Sequence, residues 1–389
     1  MSKRYCIFLT ALFCVFLGVL TMASALAPDR ETSELENRSL QQLPTLTASD
    51  FKLAWPVENS GSFFNGTFMK EFETYCNDQF ILRDSWVALK SSSERAVGKQ
   101  ENNGVYFCDQ DTLISRFDQP DQKRVDTNVG YVNQFVANAG VPVYMSLIPG
   151  AATIWADRLP EGAPNADQKA IIDGIQASSD AIWYDSYQQL WDHKDEDIFY
   201  RTDHHWTSLG AYYGYVSLMN ALGMEPVPLE NYTKQTVSDS FYGTVFSSSG
   251  VRWVEPDSID IYVPDPGVEV TSWFTGEPVE GALYNWDKLD IKDKYTFFMG
   301  GNQSLGVIKN PNVDGPKILI LRDSYTDSLV PFLTEHFSEI HLVDLRYYRY
   351  SIPQYIKDNG IDMAVVLYSV SNFVTDTNLF TLGDDCFRV

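Results

Sequence analysis

"PKILILRDS", residues 316–324, places Ile318, Leu319, Ile320 and Leu321 in an unbroken apolar run, then stops at Asp323-Ser324. A run of this length that is apolar at every position suits a strand covered on both faces, the condition of a parallel sheet. The pattern recurs in "VPVYMSLIP" at 141–149, "AIWYD" at 181–185, "EIHLVDL" at 339–345 and "IDMAVVLYS" at 361–369. Helical spacing fills the intervals near 121–138, 166–178, 326–336 and 352–358. Strands that alternate with helices predict a three-layer α/β/α fold whose parallel sheet includes residues 142–148, 317–322, 340–344 and 362–367.

Residues 223–315 break this rhythm. They are rich in Gly, Pro, Ser and Thr, with short alternating runs such as "SIDIYV" and "VEVTSWF", and predict an irregular β-rich insertion. Upstream, "GVYFCDQDTLI" reads as a hairpin, and aromatic residues at three- and four-residue steps between Phe63 and Val97 predict a long or broken amphipathic helix. Residues 28–60 are polar and turn-rich and read as a stalk or wrapping arm, leaving 61–389 as the main domain.

The chain starts with Lys3 and Arg4, then an uncharged run from Tyr5 to Ala27 that ends in "MASALA". This is the pattern of an export segment. The small residues suit signal-peptide cleavage and the length suits a membrane anchor, so residues 1–27 are read as one or the other and the rest as extracellular or in the cell envelope. A balance of 29 Lys+Arg against 52 Asp+Glu, net −23, repels phosphate backbones and makes nucleic acid an unfavourable partner. Cys76, Cys108 and Cys386 follow the export segment and allow one disulfide with a thiol left over. Neither Cys/His spacing nor any other motif calls for zinc or a cofactor.

Ligands of open α/β sheets bind beyond the carboxyl ends of the strands. Ser324, directly after its strand and before an expected helix, would have backbone N–H groups and a positive helix end beside it; serine at this place is also a common helix cap. A nucleophilic serine needs a base, and only five histidines exist. His193 reads as solvated, and His336 and His341 as structural. The remaining two stand in "RTDHHW" at 201–206. If this segment is extended, Asp203 and His205 share a face and His204 turns away. Asp203 would then orient His205, whose second ring nitrogen would serve Ser324. A metal held by the aspartate and histidines is the lower-ranked alternative, and simple packing of the loop is the bland one.

The tetrapeptide Asp203-His204-His205-Trp206, together with "SELENRSLQQLP" at 33–44, "YRTDHHWTSLGAYYGY" and "LRDSY", resembles the DHHW family and through it the SGNH-hydrolase-like domain of alginate O-acetyltransferases. The resemblance covers about residues 30–376. It implies a catalytic triad of Ser324, His205 and Asp203 in a fold whose motifs are reordered, because the Asp-x-His precedes the serine. It implies no metal or cofactor. By position, Arg346, Tyr368 and Asn372 are added as candidate substrate-binding residues near the same crevice. The reading expected is an exported serine-dependent O-acyltransferase or esterase acting on a cell-surface polysaccharide, with O-acetylation the implied chemistry and a membrane-bound O-acyltransferase the implied acyl-supplying partner. The alternative is a non-catalytic polysaccharide-binding or envelope-assembly protein on the same fold.

Overall fold

The computed structural model describes residues 2–274 and 276–383. They divide into two compact units, one running to Lys99 and including Gly250–Arg252, the other formed by Gln100–Ser249 and the chain from Trp253 onward.

In the first unit, Lys3–Leu26 is one helix without a buried residue, with a mean hydropathy of 2.5, long and apolar enough to cross a membrane. The aromatic-rich stretch is a broken helix, Ser62–Asn65, Thr67–Asp78 and Arg83–Ala96. It breaks where Gly66 adopts φ 88° and again before Arg83, where Leu82 has φ 56°. The polar arm is tied to these helices by charge. Arg38 binds the buried Asp78 carboxylate through two N–H donors at 2.6 and 2.9 Å, and Glu36 accepts from Arg83 at 2.6 Å. These contacts explain the charged part of "SELENRSLQQLP": it is a staple within the unit. Arg38 holds the Asp78 carboxyl below the usual carboxylate range, against the opposing effect of burial.

The second unit is built on an eight-stranded sheet. Its strands are β1 (Val143–Ile148), β2 (Ile182–Trp183), β3 (Glu269–Trp273), β4 (Pro278–Glu280), β5 (Leu305–Lys309), β6 (Lys317–Arg322), β7 (Glu339–Val343) and β8 (Met363–Ser369), in the spatial order β4-β3-β5-β7-β6-β8-β1-β2. The strands β7, β6, β8, β1 and β2 pair in parallel. Successive residues of β6 and β8 are buried almost without exception, so both sheet faces are covered, as their unbroken apolar runs require. The result is the expected SGNH-hydrolase-like α/β fold.

Two local expectations are corrected. The span 223–315 is not only an irregular insertion: it supplies β3, β4 and β5, which extend the same sheet in antiparallel pairing. Their alternation belongs to a sheet margin, and β3 indeed alternates between buried and more exposed positions. The helix expected near 326–336 is instead a 3₁₀ turn, Ser324–Ser328, followed by a four-residue helix, Val330–Leu333. Pro331 accounts for this. It lacks the N–H that a continuous α-helix would aim at the carbonyl of residue 327, so a regular helix starting at Ser324 cannot run through it.

The helix Ser208–Leu222 carries the next part of the "DHHW" stretch. Gly210 and Gly214, one turn apart, form a track for the Trp206 ring: a Cβ on Gly214 would stand 2.6 Å from the indole, and one on Gly210 would stand 2.2 Å from the Ile198 carbonyl oxygen. Trp206 is fully buried there. Gly214→Val should therefore destabilise the protein by at least about 1–3 kcal/mol through overpacking; thermal unfolding that leaves Tm unchanged would show that the indole does not depend on this track.

Candidate active site

The segment containing "DHHW" is a bent loop, closed at its base by an isolated bridge between Phe199 and Trp206. The buried Asp257 carboxylate shapes the loop by accepting from the backbone N–H groups of Arg201 at 3.0 Å and Thr202 at 2.8 Å, and from the Thr202 hydroxyl at 2.6 Å. Trp206 joins it to the serine. Its indole N–H donates to the Tyr325 carbonyl at 2.8 Å and the Ser328 hydroxyl at 3.0 Å, both in the turn after β6.

Within this frame Ser324, His205 and Asp203 meet. The Ser324 Oγ lies 2.7 Å from His205 Nε2, and His205 Nδ1 lies 2.6 Å from Asp203 Oδ1. A carboxylate only accepts, so Nδ1 carries the proton, and Nε2 is left to accept from the serine hydroxyl. Asp203 also takes the His205 backbone N–H at 3.0 Å, the Thr244 N–H at 2.7 Å and the Thr244 hydroxyl at 2.9 Å. Burial alone would raise the Asp203 carboxyl; the neighbouring imidazoles and these donors more than offset it and hold the group well below the usual carboxylate range. This preference for the ionised form stabilises the fold above the ordinary carboxylate range and is lost as pH falls toward the depressed value.

His204 does not turn to the opposite face. Because the loop is bent rather than extended, its ring lies over that of His205, centroids 3.9 Å apart and planes at 37°. Asp203, His204 and His205 accordingly offer ligand atoms within 4.8 Å of one another. The Asp203 oxygens, His205 Nδ1 and Nε2 and His204 Nδ1 already have hydrogen-bond partners, so a metal ion here would have to displace the network just described. The other histidines pair elsewhere, His193 with Glu196, His336 with Tyr215 and His341 with Tyr355.

The expected positive helix end is also different. With only a 3₁₀ turn behind Ser324, there is no long helix to supply a dipole, and the Tyr325 N–H is taken by the Asp323 carboxylate at 3.1 Å. Asp323 is a structural hub: its other oxygen accepts from the Ser369 N–H and hydroxyl, each at 2.8 Å, and from the Asn372 amide at 2.7 Å. Asn372 thus holds the residue beside Ser324. Arg346 is committed to the buried Asp344, with N–H groups 2.9 and 2.6 Å from its two oxygens. Arg346, Tyr368 and Asn372 nevertheless come together with Asp323 around one cavity of about 210 Å³, and the buried Tyr368 hydroxyl has no partner among the described residues.

Several residues in contact with the site escaped the sequence. Tyr295 stacks flat on the His205 imidazole, centroids 3.7 Å apart at 8°, and its hydroxyl reaches the Ser324 carbonyl and the Ser328 hydroxyl, each at 3.1 Å. Thr244 and Gly243 hold Asp203, and a Cβ on Gly243 would lie 2.2 Å from the Asp203 Cβ. All three lie in the span read as an insertion, where no periodic pattern marks them. Behind the serine, Arg322 and Asp327 form a buried ion pair at 3.0 Å. The thiols of Cys76 and Cys108 are unpaired, and Cys386, the third cysteine considered for a disulfide, lies outside the described residues.

The fold is SGNH-hydrolase-like α/β. The chain belongs to the DHHW family: the family profile described as DHHW protein matches residues 123–343. Among solved structures it is similar to a DHHW family protein from Eubacterium siraeum, 28% identical, with a TM-score of 0.64 over 72% of this chain and 95% of that one. It is also similar to Bacillus cereus PatB1 carrying a sulfonyl adduct, 21% identical, with a TM-score of 0.61 over 71% of this chain and 97% of that one. A further structure of Bacillus cereus PatB1 is 22% identical, with a TM-score of 0.57 over 69% and 96% of the two chains. No curated protein matches the sequence.

The short bond between Asp203 and His205 should give a far-downfield imidazole N–H resonance in proton NMR. Gly243→Ala, by pushing Asp203 aside, should remove that resonance and cost about 1–3 kcal/mol in unfolding; a resonance unchanged in the variant would mean that Gly243 does not position the carboxylate. Arg322→Met should cost more, about 3–5 kcal/mol, because it leaves Asp327 buried without its partner. A smaller loss by denaturant titration would show that Asp327 is satisfied in another way.

Proposed function

We propose that this protein is an exported serine-dependent O-acyltransferase or esterase that acts on a cell-surface polysaccharide, with acetyl as the acyl group. The observation that carries the reading is the unbroken hydrogen-bond chain from Ser324 through His205 to Asp203, at 2.7 and 2.6 Å. Its polarity suits nucleophilic catalysis. The apolar helix Lys3–Leu26 supports export, as a signal peptide or an anchor. In the latter case the domain would work at the membrane, beside a membrane-bound O-acyltransferase that supplies the acyl group.

In this mechanism the Ser324 oxygen attacks the carbonyl carbon of an acyl donor while its proton passes to His205 Nε2. The tetrahedral adduct collapses, the donor's leaving oxygen takes that proton, and the acyl group stays on Ser324 as an ester. A sugar hydroxyl, or water, then gives its proton to His205 and attacks the ester, and Ser324 leaves with the proton restored. Asp203 holds His205 in the required tautomer and offsets the imidazolium charge. Tyr295 fixes the plane of the imidazole. Arg346, Tyr368 and Asn372 are proposed to line the substrate side, with the second N–H of the Asn372 amide and the Ser324 N–H as donors for the oxyanion.

A serine-reactive fluorophosphonate should label the protein at Ser324, and Ser324→Ala should abolish labelling. His205→Ala should lower acyl release from a chromogenic acetyl ester by on the order of 10³ or more, and Asp203→Asn should lower turnover with the fold intact. Chelation should leave the activity in place. Absence of both labelling and ester turnover would favour the non-catalytic polysaccharide binder, and activity that returns only with a metal would replace the triad with a metal site.

A further inference from the structure

The tautomer of His204 follows from its partners. The Thr244 hydroxyl has one proton, and it lies 2.9 Å from Asp203 Oδ2, which can only accept. The same hydroxyl oxygen lies 2.6 Å from His204 Nδ1. With its proton committed to Asp203, the oxygen must accept there, so neutral His204 carries its proton on Nδ1. Its Nε2 is then an acceptor, and among the described residues nothing donates to it. The side chain is 41% exposed, whereas that of His205, on which it stacks, is only 6% exposed. A fixed hydrogen-bond acceptor therefore stands at the solvent edge of the base.

The surroundings leave room for a small group that carries hydroxyls on a carbon frame, because Leu113, Phe117 and Val245 make part of the wall apolar. His204 lines a cavity of about 70 Å³ with Tyr325, Gln168, Ser371 and Arg116, room for about two water-sized groups. Tyr325 opens this cavity on one side of Ser324 in the chain, and Asp323 lines the larger cavity of Arg346, Tyr368 and Asn372 on the other. His204 is itself held: its backbone carbonyl accepts from the Tyr325 hydroxyl.

We infer that His204 Nε2 accepts a hydrogen bond from a second hydroxyl of the acceptor, next to the one that attacks, so that the site selects a vicinal diol of the kind a sugar ring presents over water or a simple alcohol. The inference rests on the acyl-serine reading above. His205 remains the base; the His204 bond forms while the attacking hydroxyl gives its proton to His205 and its oxygen joins the acyl carbon. A neutral imidazole with one outward lone pair suits this task. The buried Nδ1–H end sets the direction of the acceptor, which a flexible side chain would leave free.

The test uses the full-length protein acylated by a chromogenic acetyl ester, with 1,2-propanediol or 1-propanol as competing acceptor. The readout is the ratio of acetate ester formed to acetate released, which divides out the rate of acylation. The wild-type protein should favour the diol over the monool. His204→Ala should reduce this preference by about tenfold, the worth of one hydrogen bond, and His204→Gln, which retains an acceptor, should restore part of it. An equal ratio for diol and monool in the wild type, or a diol preference unchanged in His204→Ala, would overturn the inference while leaving the acyl-serine intact. A protein that releases no acetyl group through Ser324 would fail earlier, at the reading on which the inference depends.

Discussion

A carboxylate charge buried in the middle of the protein is the constraint from which the site is built. Asp203 is almost inaccessible to solvent, and a bare charge there would be costly. Four donors from two chain segments resolve it: the backbone and ring of His205, and the backbone and hydroxyl of Thr244. Meeting that demand fixes the His205 ring, its tautomer and the direction of Nε2 in one step. It also requires that the chain at residue 243 approach without a side chain, which only glycine allows.

The same economy runs along the tetrapeptide. Asp203 is the buried charge, His205 faces the Ser324 hydroxyl, His204 stacks on His205 at the exposed edge, and Trp206 ties the loop to the turn that carries Ser324. Trp206 matters because strand and loop are far apart in sequence. Its indole N–H binds the Tyr325 carbonyl and the Ser328 hydroxyl, so His205 and Ser324 are referenced to one buried ring rather than to two separate loops. Tyr295 repeats the arrangement on the other side, with its ring on the imidazole and its hydroxyl on the Ser324 carbonyl.

Whatever depends on local pattern was legible in the sequence. "PKILILRDS" could be read as a fully covered strand because every residue of β6 after Lys317 is buried, and the meeting of Asp203, His205 and Ser324 could be anticipated because the acid and the imidazole stand two residues apart in "DHHW". What depends on long-range placement was not. An i, i+2 relation holds only for an extended backbone, whereas the Asp257 carboxylate holds the bent loop from 55 residues away in sequence, and His204 lies over His205. Pro331 is a local signal against a continuous helix after Ser324, and the apolar spacing of 326–336 masks it. Tyr295, Thr244 and Gly243 sit in a span without periodicity, and only the fold shows that this span both widens the sheet and closes around the site.

This arrangement has a consequence for how such a site can vary. The groups that hold Ser324, His205 and Asp203 in place, Asp257, Thr244, Tyr295 and Trp206, are buried or are tied up in hydrogen bonds around them, and a change in any of them disturbs that hydrogen-bond chain. The two cavities lined by Asp323 and by Tyr325, the chain neighbours of Ser324, are restrained unevenly. Arg346 and Asn372, in one wall, are bonded to Asp344 and Asp323, and Gln168, in the other, accepts from the Gly150 N–H, while the Tyr368 hydroxyl in the first wall has no partner among the described residues. On the proposed acyl-transfer reading, selectivity would change first at wall residues that hold nothing else, while the Asp203 network, and the direction of the imidazole it dictates, stays as it is.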